Sequence, residues 1–390
     1  MTSPRTNPPN DPALAHALAL LERVPLIDGH NDLPYVIRAA AGGDVKEYGL
    51  DRVHQESDTD IPRLRAGKVA GQVLAAFVPT STPNPGRFTL EQIALVLDIE
   101  TVYAKDIFPA RRPSDIAKAK RQGKIASIVA VESAVGLENS LAPLRVWHAA
   151  GVRIVTLCHN ETLDWIDSAT DRPRHGGLTD FGRKVVAELN RLGIMIDLAH
   201  ASPKAQADVL DATRAPVLWT HSNAFALCDH PRNVTDDVLA RVKGNGGVVM
   251  ATFVPNFISR KSHRWMTPLQ ENGKAKPGLE IDRAIAEQEK ASGPWPRASI
   301  AELCAHIEYI VQKTGPDHIG IGSDFFGGPT PPDLADVSRF PHLVAELVRR
   351  GWSDGALAKI LSGNALRVWR RVEKVGAELA RTEPPRVGHA

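Results

Sequence analysis

Residues 26–32 of the chain read Leu26-Ile27-Asp28-Gly29-His30-Asn31-Asp32. This stretch completes an apolar run, 24–27, and ends in two side chains that can bind a metal ion. In a β-strand, residues i and i+2 point to the same face, so His30 and Asp32 project together if the strand persists to its end. An imidazole and a carboxylate directed at one point suit zinc or a similar divalent ion. Alone, a His-x-Asp pair is more often an ordinary turn, so the repetition of the pattern along the chain matters.

Short apolar runs alternate with helical patterns along most of the chain. The runs occupy residues 24–27, 69–78, 125–131, 152–158, 194–199, 216–220, 248–254 and 318–323. This alternation predicts a parallel sheet, and eight repeats favour an α/β fold of the closed (β/α)8 TIM barrel type. A doubly wound open sheet is the alternative, but it would gather ligands from the few loops at one crevice. Here most of the run ends carry a candidate ligand, which fits a ring better.

The domain organisation follows from length and local polarity. The 390 residues suffice for one large barrel or two ordinary domains. We predict a disordered N-terminal tail over 1–12, a single barrel domain over 13–375 and a polar C-terminal tail over 376–390. The insert 256–297, between predicted strands 7 and 8, is too polar for a core element and is interpreted as a lid or an interface segment.

Composition gives no support for two classes of partner, nucleic acids and anionic membranes. Apolar residues make up 43% and charged residues 24%, as in a soluble globular enzyme. The net charge is +2, from 47 basic and 45 acidic side chains, and no block of one sign stands out. Nucleic-acid binding and attraction to an anionic membrane therefore have no electrostatic support. No run approaches the ~20 apolar residues that a membrane span needs.

The cysteines and the first helix bear on the compartment. Cys158, Cys228 and Cys304 match no CxxC or zinc-finger spacing, which favours buried free thiols in a reducing compartment. The apolar stretch 13–21 lacks the basic start and the small-residue cleavage site of a signal peptide. A cytoplasmic protein is expected.

The run ends define a candidate metal site. In a barrel, the C-terminal ends of the strands converge on one mouth. There the runs place His30, Asp32, Glu132, His159, His200, His221 and Asp324. Each could separately be an ion pair, a satisfied buried histidine or a helix cap, but seven such coincidences are less credible than one metal site. The set exceeds the three protein ligands of a catalytic zinc and suits two metals bridged by a carboxylate. Glu132, the one glutamate at a run end, is the natural bridge.

At these residues the chain resembles the membrane (renal) dipeptidase family of amidohydrolase-type barrels. The matching stretches are Asp28–Pro34, Ile61–Gly67, His175–Thr179, Asn190–His200, Pro216–Ala224, Pro231–Val238 and His318–Asp324. They spread over roughly residues 24–370 and are specific in combination.

The resemblance implies roles for individual residues. It implies one zinc on His30, Asp32 and Glu132, and a second zinc on Glu132, His200 and His221. It also implies His159 as a transition-state contact, Arg232 as the clamp on the substrate carboxylate and Asp324 as the proton-transfer residue. Without the resemblance, Arg232 would be interpreted as a solvated surface arginine. The family also suggests a homodimer.

Two positions depart from the family pattern. Glu132 lies between Val131 and Ser133, where relatives usually have glycines. The family's Asp-Phe-Asp-Gly is here Asp324-Phe325-Phe326-Gly327, so the second acid is lost. Both departures bear on substrate range more than on metal binding.

The expected activity is that of a zinc dipeptidase, with dipeptides that carry a C-terminal D-residue among the candidate substrates. A hydroxide bridging the metals attacks the peptide carbonyl. One zinc and a protonated His159 stabilise the oxyanion, and Asp324, ionised in the resting enzyme, moves the proton to the leaving amine. One alternative is another hydrolase on the same metals, acting on a lactone, a cyclic amide or a β-lactam. A non-catalytic binding protein on an inherited barrel is a second, opposed by the complete ligand set.

Overall fold

The computed structural model describes residues 11–55, 57–271 and 279–389. The predicted disordered tail, 1–12, lies outside these residues except for its last two. The first helix begins at Pro12, and the carboxylate of Asp11 accepts hydrogen bonds from the backbone N–H groups of Ala13 and Leu14. This is an ordinary N-cap, with proline at the first helical position.

Each predicted run overlaps a strand of one parallel sheet. The strands are β1 Leu26–Asp28, β2 Val69–Phe77, β3 Ile107–Pro109, β4 Ile125–Glu132, β5 Val152–Thr156, β6 Met195–Asp197, β7 Leu218–Trp219, β8 Val248–Ala251 and β9 Ile319–Ile321. Their order is β1-β2-β4-β5-β6-β7-β8-β9, and β3 pairs with the start of β4. Helices separate the eight strands of the ring, so the predicted TIM barrel is confirmed.

Hydrogen bonds between the end of β1 and the end of β9 join the first and last strands of the sheet. The backbone N–H of Gly29 donates to the carbonyl of Ile321 at 2.9 Å, which joins the ends of β1 and β9. The buried carboxylate of Asp28 accepts from the backbone N–H of Ser323 at 2.7 Å and from its hydroxyl at 2.6 Å. On the other side, Asp28 accepts from Gln72 Nε2 of β2 at 2.8 Å. One carboxylate thus ties three neighbouring strands together directly beneath His30.

The helices surround the sheet and fill the long connections. They are α1 Pro12–Arg23, α2 Leu33–Ala41, α3 Val45–Tyr48, α4 Ile61–Ala66, α5 Pro85–Val102, α6 Pro113–Arg121, α7 Ala142–Ala150, α8 Asp180–Leu192, α9 Pro203–Ala212, α10 Asp236–Asn245, α11 Pro255–Ile258, α12 Arg260–Glu271, α13 Leu279–Ser292, α14 Ile300–Thr314, α15 Phe340–Arg349, α16 Asp354–Ala358 and α17 Asn364–Thr382. Short 3-10 turns occupy Ala134–Leu137, Pro316–His318, Pro332–Leu334 and Val337–Arg339, and a π-turn occupies Lys359–Gly363.

Three details differ from the sequence-based expectation. The spacing of apolar residues predicts one helix over 90–108, but α5 ends at Val102 and Ile107 and Phe108 belong to β3. The polar composition of residues 39–59 predicts a loop, but this stretch contains the short helix α3. The last helix, α17, runs to Thr382 with Leu379 buried, so it extends into the segment predicted as a C-terminal tail.

The polar insert has a small core of its own. It contains α11, α12 and α13, and apolar side chains of α12 and α13 form a cluster separate from the barrel core. This cluster consists of Met266, Leu269, Ala284, Ile285 and Trp295. The first of these helices, α11, carries Phe257 to the mouth of the barrel, where that ring lines the candidate site described below. The interpretation of the insert as a lid or an interface segment remains a prediction.

Gly322 lets two strand ends approach closely. A Cβ atom added to Gly322 would lie 1.7 Å from the backbone oxygen of Thr220. Because that neighbour is backbone at the end of β7, which lies two strands from β9 in the ring, it cannot move aside alone. We expect Gly322→Ala to lower the free energy of unfolding by at least ~1 kcal/mol, the lower end of overpacking costs.

The matched control is Gly244→Ala in α10, where an added Cβ meets nothing within 4 Å. There alanine should be neutral or stabilising by up to ~1 kcal/mol, because it has the higher helix propensity. Denaturant unfolding of both variants measures the difference. Equal free energies for the two would contradict the close approach.

Candidate metal centre and active site

All seven candidate ligands lie at the mouth of the barrel, the end at which its strands have their C-termini. His30 and Asp32 follow β1, Glu132 ends β4, His159 follows β5, His200 follows β6, His221 follows β7 and Asp324 follows β9. A cavity of about 80 Å³ lies among them. Its lining residues are Asp32, Tyr35, Phe77, Glu132, His159, Asn160, His200, Arg232, Phe257, Asp324, Phe326 and Gly327. The structure therefore brings together side chains that lie almost 300 residues apart in the chain.

Glu132 lies between two sets of potential ligands. Its Oε2 atom is 3.3 Å from His30 Nε2, and the same nitrogen is 3.6 Å from Asp32 Oδ1. Its Oε1 atom is 3.1 Å from His200 Nε2 and 3.6 Å from His221 Nε2. One carboxylate thus directs each of its oxygens to a different set, which is the arrangement that a bridging ligand requires.

The donor atoms of these groups suit a cation. Ligand atoms of His30, Asp32 and Glu132 all lie within 4.8 Å of one another. Within the described part of the chain, His30 Nε2 and Asp32 Oδ1 are buried without a hydrogen-bond partner. A buried polar atom without a partner is costly, so such pairs call for a ligand or an ion. By the same distance criterion Asp324 and His159 are also within reach of the cluster, so proximity alone does not separate ligands from other site residues.

The charges around His30 agree with this interpretation. Burial disfavours the charged form of His30, but the carboxylates of Glu132 and Asp32 outweigh it and hold the pKa of His30 well above its ordinary value. Burial raises the pKa of Glu132, and Asp32 adds to this effect while His30 opposes it. The carboxylates therefore attract positive charge at the point where the ligand atoms converge.

The other two histidines are neutral at pH 7. Burial lowers the pKa of His200 well below its ordinary value, and the guanidinium of Arg232 lowers it further. Burial lowers the pKa of His221 in the same way, with His30 and Arg232 contributing. The two Nε2 atoms are 3.0 Å apart. A neutral imidazole has the lone pair that a metal ligand needs.

The backbone at Asp324 has an unusual conformation. Its φ of 64° lies in the left-handed region, which is uncommon for a residue other than glycine. A Cβ atom on Gly327 would lie 2.0 Å from Asp324 Oδ1, so the carboxylate occupies space that only glycine leaves open. Burial raises the pKa of Asp324 to about 8, with Asp32 and Glu132 adding to the effect. Its Oδ1 atom is 4.0 Å from His30 Nε2.

His159 stands beside the second set of ligands. Its ring centroid is 4.3 Å from that of His200 and 4.6 Å from that of Phe77. Burial lowers the pKa of His159 to about 3, and Arg232 contributes to the shift. The expectation of a protonated His159 is therefore corrected: the imidazole is neutral, and its interaction with an oxyanion would be a hydrogen bond from a neutral N–H group.

Arg232 is buried and not a solvated surface residue. Its side chain is 3% exposed, and burial lowers its pKa to about 10, which leaves it charged at pH 7. The guanidinium lies 5.5 Å from the ring centroid of Phe257. Among the described residues, Nη1 has no hydrogen-bond partner. A buried cation with an unsatisfied N–H group in the wall of the cavity can bind an anionic ligand by donating a hydrogen bond to it.

The apolar walls of the cavity could not be recognised from the sequence. Tyr35, Phe77, Phe257 and Phe326 line it, and none follows a pattern that distinguishes it from a core aromatic residue. The only signal was local: Phe326 replaces an acid in the motif that contains Asp324. Like Asp324, it has a positive φ, 72°, which is rare for an aromatic residue.

A second and larger cavity, of about 760 Å³, lies near the N-terminal ends of β7 and β8, away from the mouth. Two of its arginines donate to backbone carbonyls, Arg367 to Gly246 at 2.6 Å and Arg241 to Ala207 at 3.1 Å. No candidate metal ligand lines it. The larger of these two cavities is therefore not the one that contains the candidate metal ligands.

Two further findings concern the cysteines and the helices. Cys158, Cys228 and Cys304 are buried and form no disulfide, as expected from the sequence.

None of the helices in the described ranges has the length and apolar character needed to cross a lipid bilayer.

Comparison with known proteins assigns a family. Residues 14–383 match the family described as membrane dipeptidase, peptidase family M19. Dipeptidase verJ of Clonostachys rogersoniana is 34% identical over 386 residues, which cover 95% of this chain and 90% of that protein.

Solved structures share the fold. The probable dipeptidase PvdM of Pseudomonas aeruginosa has a TM-score of 0.80 and 27% identity, covering 93% of this chain and 99% of that one. A metallopeptidase of Rhodobacter sphaeroides, solved with a phosphinate mimic of L-Ala-D-Ala, has a TM-score of 0.74 and 23% identity, covering 90% and 99% of the two chains.

Proposed function

The chain belongs to the membrane dipeptidase family, peptidase family M19, and on that premise we propose that it is a zinc-dependent dipeptidase with two metal ions bridged by Glu132. As a member of this family the protein is a hydrolase that acts on peptide bonds. The observation that carries the two-metal proposal is the position of Glu132, whose two oxygens face His30 and the His200–His221 pair separately.

The proposed ligand sets use the groups that converge at the mouth. His30, Asp32 and Glu132 would hold one ion, and Glu132, His200 and His221 the other. Imidazole and carboxylate ligands in this number suit zinc. When bound, the ions supply Lewis acidity and a water molecule whose pKa lies near ~7.

We expect two zinc ions per chain. The reason is that the two oxygens of Glu132 face two sets of potential ligands, one with His30 and the other with His200 and His221. Elemental analysis of protein purified without added metal and then reconstituted with zinc measures the ratio. A control preparation of Glu132→Ala, which removes the proposed bridge, should bind fewer ions. A plateau at one ion in the wild type would rule out the bridged arrangement.

Asp324 and His159 would act at the scissile bond. Asp324 would take a proton from the attacking water at its carboxylate and deliver it to the leaving amine. Its pKa of about 8 applies to the protein without metal, and two nearby cations would lower it and keep the group ionised. His159 would donate a hydrogen bond to the oxygen of the peptide carbonyl as negative charge develops on it.

Arg232 would select the length of the substrate. Its buried guanidinium, with an unsatisfied Nη1, can bind a carboxylate through two parallel hydrogen bonds. If the scissile carbonyl is held near Glu132, only a chain with one residue beyond that bond places its terminal carboxylate at Arg232. Such a site would accept dipeptides as substrates and not longer peptides.

The proposal extends to dipeptides with a C-terminal D-residue. The proposed anchors contact the peptide carbonyl and the terminal carboxylate, and both stereoisomers possess these groups. A dipeptide library with matched L,L and L,D pairs, assayed with zinc-loaded and chelated protein, is the test. Activity on L,L pairs alone would overturn the extension. Activity confined to a lactone, a cyclic amide or a β-lactam would overturn the dipeptidase proposal and favour the alternative hydrolase.

A cytoplasmic location and a homodimer also remain proposals. The three buried free thiols support a reducing compartment. The homodimer rests on the family alone. Cell fractionation and light scattering test the two statements independently.

A further inference from the structure

Asp197, the last residue of β6, lies beneath the metal centre with a fully buried carboxylate. Its Oδ1 accepts from the backbone N–H groups of Ala199 at 3.1 Å and Thr220 at 2.8 Å. Its Oδ2 accepts from the hydroxyls of Thr156 at 2.6 Å and Thr220 at 2.7 Å. Because every partner can supply a proton, both oxygens act as acceptors, and the Thr220 hydroxyl proton is committed to Asp197.

The direction of this hydrogen bond determines how the Thr220 hydroxyl can interact with its other neighbour, His221. The Thr220 oxygen lies 2.9 Å from His221 Nδ1. A hydroxyl has one proton and two lone pairs. With its proton directed to Asp197, Thr220 presents only a lone pair to the imidazole, so the hydrogen of that contact must be on Nδ1 of His221.

The position of the proton on the His221 ring in turn determines whether Nε2 has a lone pair for a metal ion. A neutral imidazole with its proton on Nδ1 has a free lone pair on Nε2. That Nε2 is the atom 3.6 Å from Glu132 Oε1 and 3.0 Å from His200 Nε2. The other tautomer would direct an N–H group at the position of a cation and would not bind it.

We propose that Thr220 is a positioning residue that, together with Asp197, holds His221 in the tautomer and orientation required for metal binding. The proposal rests on the metal-dependent function proposed above. It adds two residues that the sequence analysis did not single out and assigns them no contact with the substrate. Partners of this kind typically contribute 10–100-fold to metal affinity.

His200 and His221 have different hydrogen-bond partners at Nδ1. His200 Nδ1 lies 3.2 Å from the side-chain oxygen of Asn160, which belongs to an exposed residue in the loop after β5. The Thr220 contact with His221 is buried and is anchored by a carboxylate. Loss of the Thr220 hydroxyl therefore cannot be replaced readily by water, and its effect on the metal should be visible.

Thr156 provides a matched control. It donates to the same oxygen of Asp197 as Thr220 does, at a similar distance, and it comes from the neighbouring strand β5. No hydrogen bond joins Thr156 to a histidine in the described part of the chain. Thr156→Val therefore removes one hydrogen bond from Asp197 and leaves the contact with His221 intact.

The first experiment compares the zinc dissociation constants of Thr220→Val, Thr156→Val, Thr220→Ser and the wild type, measured by competition with a chelator. We expect Thr220→Val to weaken the binding of at least one ion by 10-fold or more. Thr156→Val should stay within about threefold, and Thr220→Ser should recover most of the loss because serine restores the hydroxyl. Equal losses in the two valine variants would overturn the proposal, because packing around Asp197 would then explain them.

The second experiment does not depend on a variant of Thr220 that folds. Nitrogen-15 NMR of histidine-labelled, metal-free wild type reports which ring nitrogen of His221 carries the proton, and His221→Asn identifies the signal. We expect the proton on Nδ1 in the wild type. A proton on Nε2 would overturn the proposal. If instead the wild type binds no zinc while His221 has its proton on Nδ1, the metal-dependent function fails and the hydrogen-bond relay stands.

Discussion

Asp324→Asn is expected to lower kcat on a good dipeptide by at least ~100-fold, the usual scale of general acid–base catalysis. The substitution keeps the shape of the side chain and removes its ability to accept and return a proton. The backbone at Asp324 is held by its own hydrogen bond to the carbonyl of His30 at 3.2 Å, so the amide should occupy the same position. The loss should therefore appear in kcat with little change in substrate binding.

The decisive control for Asp324→Asn is its metal content. Asp324 Oδ1 is 4.0 Å from His30 Nε2, close enough for the carboxylate to be a ligand in the loaded enzyme. Elemental analysis of the same preparation that is assayed separates the two roles. Two ions retained with the activity lost supports proton transfer. Loss of zinc would mean that Asp324 is a ligand and that the assignment of the proton-transfer role is wrong.

The barrel could be predicted because its signal is local and repeated. Each strand of the ring lies in an apolar run, and each run is separated from the next by a helical pattern. The strand β3 was missed because its three residues continue the apolar spacing of the preceding helix. The insert was recognised as polar, but its helices and their small core depend on contacts between residues far apart in that segment.

The candidate ligands could be predicted for a related reason. Strand ends of a barrel converge, so polar residues after each run are brought together by topology alone. Their environment could not be predicted in the same way. The burial of Arg232 and the low pKa of His159 depend on loops that pack over the mouth. Asp197 gave no signal, because a single acid inside an apolar run has no partner that the local sequence identifies.

Arg232→Met is expected to lower kcat/KM on a good dipeptide by at least ~30-fold. Removing one partner of a desolvated charge pair typically costs on the order of 2–5 kcal/mol. Methionine retains much of the apolar volume beside Phe257 and removes the five N–H donors of the guanidinium. Arg260→Met is the matched control, because Arg260 is an exposed arginine paired with Asp229 at 3.4 Å and lies outside the cavity. That variant should keep the activity of the wild type.

A double-change cycle tests what Arg232 recognises. Amidating the C-terminus of the dipeptide removes the carboxylate, as Arg232→Met removes its proposed partner. If the two groups bind each other, amidation should lower kcat/KM strongly in the wild type and make little further difference in the variant, because the interaction can be lost only once. Four values of kcat/KM, from two enzymes and two substrates, give the coupling. Additive effects would show that Arg232 does not bind the carboxylate, and the restriction to dipeptides would then need another cause.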